Sequence, residues 1–288
     1  MPSLKHIRRR IASVKSTQKI TRAMKMVAAA KLRKAQETVE RFRIYADATA
    51  TMLAEIASDA GGEEHPLLER RPVKSALILV ISSDRGLCGG FNTNLNRMVF
   101  ERVKQEAPKP ALAIVGKKAT GYFHRRDAMI SEIFADVYSE PGYAIAAKVA
   151  RRLIARYTSG EVDRIDLAYN EMLSVASQKP TVRPLLPIEM PSGDGGGDKS
   201  AANGTYLFEP TGERLLAKIL PMSVEVAVCR ALLESIAAEH ASRMAAMDAA
   251  TTNAQDMIEH LTLVYNRARQ SAITSELMDI VGGAEALD

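Results

Sequence analysis

The chain has 288 residues, 47% hydrophobic and only 5% aromatic, with no tryptophan and a formal net charge of +5. That is enough apolar material for one or two cored units, and a chain so poor in aromatics favours helix pairs over a large β-core. Two cysteines, Cys88 and Cys229, exclude a disulfide framework, and the longest unbroken apolar run, residues 76–81, is far too short to span a bilayer.

At the start of the chain Ser3 reads as an N-cap, and helical periodicity begins at once. Steps of four and three from Ile7 reach Ile11, Val14, Gln18, Thr21, Lys25, Ala28, Leu32, Ala35, Val39, Phe42, Ala46, Thr49, Leu53 and Ile56. This is a heptad seam, the pattern of a helix lying along another helix. Three successive polar steps, Gln18, Thr21 and Lys25, interrupt it, while Ile20, Met24 and Val27 form a competing stripe. Either the helix drifts there against the 3.5-residue repeat, or that face turns toward a third partner. The helix is expected to end before Gly61 and Gly62, a length of about 83 Å. Residues 1–43 hold 13 Lys/Arg against only Glu37 and Glu40, so the positive excess sits here and the remainder is net acidic. No apolar secretory signal shows at the start, although an arginine-rich, acid-poor opening has the composition of a mitochondrial transit peptide.

The middle of the chain, residues 73–208, changes character. Residues 74–82 are a short apolar run, the mark of a buried strand, and residues 111–115 are a second. Between them a glycine-rich turn precedes a helix over residues 93–104. An amphipathic helix over 143–157 follows Pro141, and strands are expected over 163–171 and 181–188. Strands alternating with helices predict an α/β unit with a largely parallel sheet. Residues 192–198 read as a flexible loop.

The C-terminal stretch runs from Thr211 to Gly283 with no proline after Pro221 and no glycine between Gly212 and Gly282. Its seam is Leu233, Ala237, His240, Met244, Met247, Thr251, Ala254, Ile258, Leu261, Tyr265, Ala268 and Ala272. Pro221 is expected to kink or delay this helix, and Gly282 with Gly283 to stop it. At about 110 Å it outreaches its N-terminal partner by roughly 25 Å. The two ends would pair as an antiparallel coiled coil, leaving an apolar tip with Ile273, Leu277, Met278 and Ile280 that needs a sleeve from another protein.

Few residues suggest chemistry. The turn at residues 83–91 (SDRGLCGGF) is neither GxGxxG nor GxxxxGK[ST], which leaves a tight turn needing glycine at positive φ, an exposed docking loop, or a weak phosphate site. The five histidines have no ligand spacing and no CxxC or HExxH occurs, so neither a metal nor a cofactor is expected. Cys88 beside Asp84 and Arg85 could be an activated thiolate, but no histidine lies near it. The basic first segment admits a nucleic-acid-binding coiled coil as an alternative function, against which stands the absence of aromatics before Phe42.

Four separated strings carry a family resemblance: residues 15–31 (KSTQKITRAMKMVAAAK), 83–92 (SDRGLCGGFN), 230–235 (RALLES) with 239–247 (EHASRMAAM), and 265–284 (YNRARQSAITSELMDIVGGA). Together they resemble the γ subunit of the F-type rotary ATP synthase. The resemblance implies a long antiparallel coiled coil of residues 1–60 and 211–288 around a central Rossmann-like α/β domain, 73–208. It implies a non-catalytic rotor shaft that couples the membrane c-ring to ATP synthesis at the β subunits. Its partners would be three α and three β subunits, ε and the c-ring, at one copy per complex. It would sit on the cytoplasmic face of a bacterial inner membrane, without inserting into it. Arg243, Gln270 and Thr274 would meet the β-subunit catch loops, and Tyr206 and Glu209 would belong to a foot contacting the c-ring and ε.

Overall fold

The structure is a computed structural model that describes residues 3–59, 65–189 and 212–285. Its elements are α1 (Leu4–Asp59), β1 (Ala76–Ile81), α2 (Phe91–Gln105), β2 (Ala111–Val115), α3 (Lys117–His124), β3 (Ile130–Phe134), α4 (Tyr143–Thr158), β4 (Arg164–Met172), β5 (Gln178–Leu186) and α5 (Gly212–Glu285). The chain divides into two compact units, one of Met1–Ala29 with Arg243–Asp288 and one of Ala30–Ser242.

The larger unit is built on a five-stranded sheet of order β3-β2-β1-β4-β5. The first four strands are parallel, and β5 closes one edge antiparallel to β4. Right-handed β-α-β connections generate this order naturally. Because β1 is central, its apolar run is buried on both faces, and its alternate residues serve two cores. Leu77, Leu79 and Ile81 face α4 (Val149, Leu153, Tyr157) and residues 216–233 of α5. Ile78 and Val80 face Leu95, Val99 and Phe123 of α2 and α3. Leu53 and Ile56 of α1 join the first core, with Val39 and Phe42 against it. Each fully buried aliphatic side chain contributes roughly 1.5–3 kcal/mol. Exposed ion pairs such as Arg33–Glu37 contribute about 0–1 kcal/mol each, so the apolar contacts decide the fold.

The smaller unit is a helix pair, residues 4–29 of α1 against 243–285 of α5. Ser3 caps α1: its carbonyl accepts the Ile7 N–H at 3.2 Å and its hydroxyl the His6 N–H at 3.3 Å. The helices are antiparallel, since Arg8 meets Tyr265, Gln18 meets Gln255, Thr21 meets Thr251 and Lys25 meets Asp248.

Every position of the α1 seam, including Gln18, Thr21 and Lys25, is buried or half-buried. Neither explanation of the polar interruption holds: the seam keeps its register and the opposing helix answers with polar residues of its own. Ile20 and Val27 of the competing stripe are each 57% exposed. Two further expectations are corrected. Pro221 lies inside α5, which starts at Gly212 without delay, and α5 runs through Gly282 and Gly283 to Glu285. The strand β3 and the helix α3 are additions to the expected elements. The N-terminal helix's glycine stop and the loop at 192–198 lie outside the described residues.

Cys229 is fully buried in the main core, and burial pushes its thiol up to about 12. Cys88 is almost as deeply enclosed, against Phe91 and Ala238. A thiolate-specific reagent at pH 8 is therefore expected to label neither cysteine in the native chain and both in denaturant. Fast native labelling of Cys229 would contradict the placement of residues 216–233 of α5 in this core.

Candidate functional site

Two regions are candidates, the glycine-rich turn after β1 and the helix pair. In an open α/β sheet a ligand usually sits beyond the carboxyl ends of the strands, where the β1 turn lies. Here the chain itself occupies that place. The Ser242 hydroxyl of α5 donates to the Cys88 carbonyl at 2.7 Å, the Ser235 hydroxyl donates to the Ile81 carbonyl at 3.4 Å, and Ala238 packs on Cys88 and Phe91.

The polar groups of the turn are also used internally. Ser82, Ser83 and Asp84 cap α3: the Ser82 hydroxyl accepts the Ala119 N–H at 3.1 Å, the Ser83 carbonyl accepts Lys118 N–H at 3.1 Å, and the Asp84 carboxylate accepts Lys117 N–H at 2.9 Å. These are the donors that an anion at the helix N-terminus would need. Asn92 pins the turn: its carbonyl accepts the Ser83 N–H at 3.0 Å, and its amide donates to the Ser83 hydroxyl at 2.8 Å and the Cys88 sulfur at 3.2 Å. Tyr138 donates its hydroxyl to the Ser82 carbonyl. Gly89 has φ 56° and Gly116 φ 100°, the conformational freedom that makes glycine the residue of choice. The turn is thus a structural joint: the α3 N–H groups of Lys117, Lys118 and Ala119 are taken by the chain's own oxygens, and the Cys88 thiol is buried. Among the described residues no group of three His, Cys, Asp or Glu could hold a metal ion, and no helix is long and apolar enough to cross a membrane.

The helix pair has a different surface. Among the described residues its last cross-helix hydrogen bond toward the C-terminus is at Tyr265, whose hydroxyl accepts from the Arg8 guanidinium at 2.6 Å while that group lies 5.6 Å from the ring centre. Beyond it residues 271–280 are all exposed, among them Ile273, Leu277, Met278 and Ile280 at 51–66%. Gln270 and Thr274 lie one turn apart at the root of this tip, both exposed, with the Thr274 hydroxyl donating to the Gln270 carbonyl at 3.0 Å. Arg243 is half-buried on the same helix, on the order of 40 Å from Gln270 along the axis, so the three do not form one cluster. Tyr206 and Glu209 lie outside the described residues. Along α1 the basic residues Arg9, Arg10, Lys15, Lys19, Arg22 and Lys31 are exposed. The internal use of Asp84 and Asn92, and the Arg8–Tyr265 contact, carry no local sequence signal.

A family model described as ATP synthase matches residues 3–287. The chain is 46% identical to the ATP synthase gamma chain of Desulforamulus reducens and 49% identical to that of an Anaeromyxobacter species, over the whole of each chain. Among solved structures it is similar to a chain of the Tetrahymena thermophila mitochondrial ATP synthase central stalk and c-ring, at 26% identity and TM-score 0.61, covering 80% of this chain and 99% of that one. It also resembles a chain of the Euglena gracilis mitochondrial ATP synthase, at 23% identity and TM-score 0.69, covering 99% and 94%.

The capped joint makes two glycines unequal. A Cβ at Gly116 would stand 2.4 Å from the Ser82 carbonyl oxygen, at a φ that L-residues avoid. Gly116→Ala is expected to cost more than about 2 kcal/mol in denaturant unfolding. Gly121, inside α3 with nothing within 4 Å of its would-be Cβ, should gain about 0.5–1 kcal/mol as alanine.

Proposed function

The chain belongs to the ATP synthase gamma-chain family, and from that premise we propose that it is the rotor shaft of a proton-translocating F-type ATP synthase. It is a non-catalytic subunit, and ATP is made on the β subunits. Rotation of the membrane c-ring turns the base of the shaft. The shaft's asymmetric surface then drives each β subunit in turn through its open and closed states. One copy serves three α and three β subunits, with ε beside it and the c-ring below. The identities of 46% and 49%, against 22–26% for the mitochondrial structures, support a bacterial setting, peripheral on the cytoplasmic face of the inner membrane.

One observation supports the reading above others: an antiparallel helix pair whose longer member ends in an apolar tip left exposed among the described residues. Two helices of 56 and 74 residues cannot present a three-fold symmetric surface, which is what a shaft inside a ring of three αβ pairs requires. The apolar tip suits a bearing, because apolar contacts are non-directional and leave no particular hydrogen bond to break on turning. The exposed basic residues of α1 suit acidic walls. On this reading Gln270 and Thr274, at the root of the tip, and Arg243, lower on the same helix, would be contacts of the β catch loops. On this reading Tyr206 and Glu209 would be foot contacts with the c-ring and ε.

Replacing Gln270 and Thr274 together by tryptophan is expected to lower ATP turnover of the assembled complex about tenfold or more, with circular-dichroism helicity unchanged. Unchanged turnover would remove these two from the contact set. Mass spectrometry of the intact assembly should find one copy of this chain, and ATP turnover by the purified chain alone would overturn the reading.

A further inference from the structure

The polar interruption of the helix seam is answered across the pair, residue by residue. The Gln18 side-chain amide donates to the Gln255 carbonyl oxygen at 2.8 Å. The Thr21 hydroxyl lies 2.8 Å from that of Thr251, whose one proton is shared with the Met247 backbone carbonyl at 2.7 Å; Thr21 itself donates to the Gln18 backbone carbonyl at 3.0 Å and is only 8% exposed. The Lys25 ammonium lies 2.5 Å from the Asp248 carboxylate. Three consecutive rungs of the ladder are therefore polar on both sides.

We propose that these rungs are a register lock: they select one alignment of α1 against α5 that the apolar rungs of the same pair cannot select. The apolar positions are forgiving. The offset that sets Thr21 against Thr251 sets Ile11 against Leu261, and a seven-residue slide either way gives Ile11 an alanine, Ala268 or Ala254. Such a seam loses contact area on sliding but meets no prohibition.

The polar rungs oppose the slide. One direction sets Thr21 against Ile258 and Lys25 against Gln255. The other sets Thr21 against Met244 and again strips Lys25 of its carboxylate. In both cases the Thr21 hydroxyl keeps its own-helix bond to the Gln18 carbonyl but meets an apolar side chain in place of Thr251, so its accepting oxygen loses the cross-helix donor in a nearly buried position. A polar residue at a core position of a coiled coil fixes register by this same asymmetry, at some cost in stability. Sliding by one heptad would move the exposed tip along α1 by about 10 Å. The lock thus determines how far the longer helix projects. The crosslinking test below reads the two helices alone, so its failure is distinct from failure of the rotor reading.

The test is disulfide trapping in the full chain. Ile11→Cys is paired in turn with Leu261→Cys, which reports the native register, and with Ala254→Cys or Ala268→Cys, which report the two slides. With the polar rungs intact, mild oxidation should crosslink only the first pair. With all six rung residues made apolar (Gln18→Leu, Thr21→Val, Lys25→Leu, Asp248→Leu, Thr251→Val, Gln255→Leu), crosslinking of the slid pairs should rise at least about tenfold with helicity retained. Native-only crosslinking in that variant would overturn the proposal. Should it not fold, charge exchange decides. Lys25→Asp, which sets two carboxylates together, should raise the slid products, and adding Asp248→Lys should suppress them again. Lys25→Asp with no slid product, or no rescue by the exchange, would equally overturn it.

Discussion

A long helix in water is held less by its own backbone than by what its apolar stripe can cover. Here α1 and α5, at 56 and 74 residues, keep one side of each helix from solvent over most of their length. In the larger unit the stripe of α5 meets a sheet and α4, and the contact is a three-dimensional core with Leu216, Leu220, Val224, Val228 and Leu232 fully enclosed. In the smaller unit the stripe meets only another helix, so each rung is a single layer thick. That difference decides which interactions matter where. In the core a polar side chain is a small perturbation among many apolar neighbours. In the two-helix unit three polar rungs are a large share of what distinguishes one alignment of the helices from another.

The seam was legible because heptad spacing is local information, as were the central strands with their unbroken aliphatic runs. The strand β3 was harder. As an edge strand it alternates half-buried and exposed residues, Ile130, Ser131, Glu132, Ile133 and Phe134, and has no continuous run to signal it. The short helix α3 owes its start to Ser82, Ser83 and Asp84, more than thirty residues upstream, so no local capping signal marks it. The polar rungs were misread for the same reason. Gln18, Thr21 and Lys25 look like a flaw until Gln255, Thr251 and Asp248 are set opposite them, and that pairing spans more than two hundred residues of chain.

The glycine-rich turn shows how a nucleotide-type fold can be put to another use. The sheet order, the central β1 and the turn at its carboxyl end are features of ligand-binding α/β proteins. What differs is the occupancy of the crevice: Ser235, Ala238 and Ser242 enter it, and the backbone donors at the start of α3 are spent on Ser82, Ser83 and Asp84. A fold that elsewhere grips a phosphate here grips its own helix. The apolar tip, by contrast, is a surface that the described residues do not cover, and the proposed assembly would supply its neighbour.

The edge strand β5 carries Pro180 and Pro184 opposite Asn170 and Asp166 of β4. A proline in an edge strand has no N–H to offer a newcomer, and two at the same parity blank out alternate donors along the outward rim. A second copy approaching that rim would find too few hydrogen bonds to extend the sheet. Solitude on this flank is written into the strand itself.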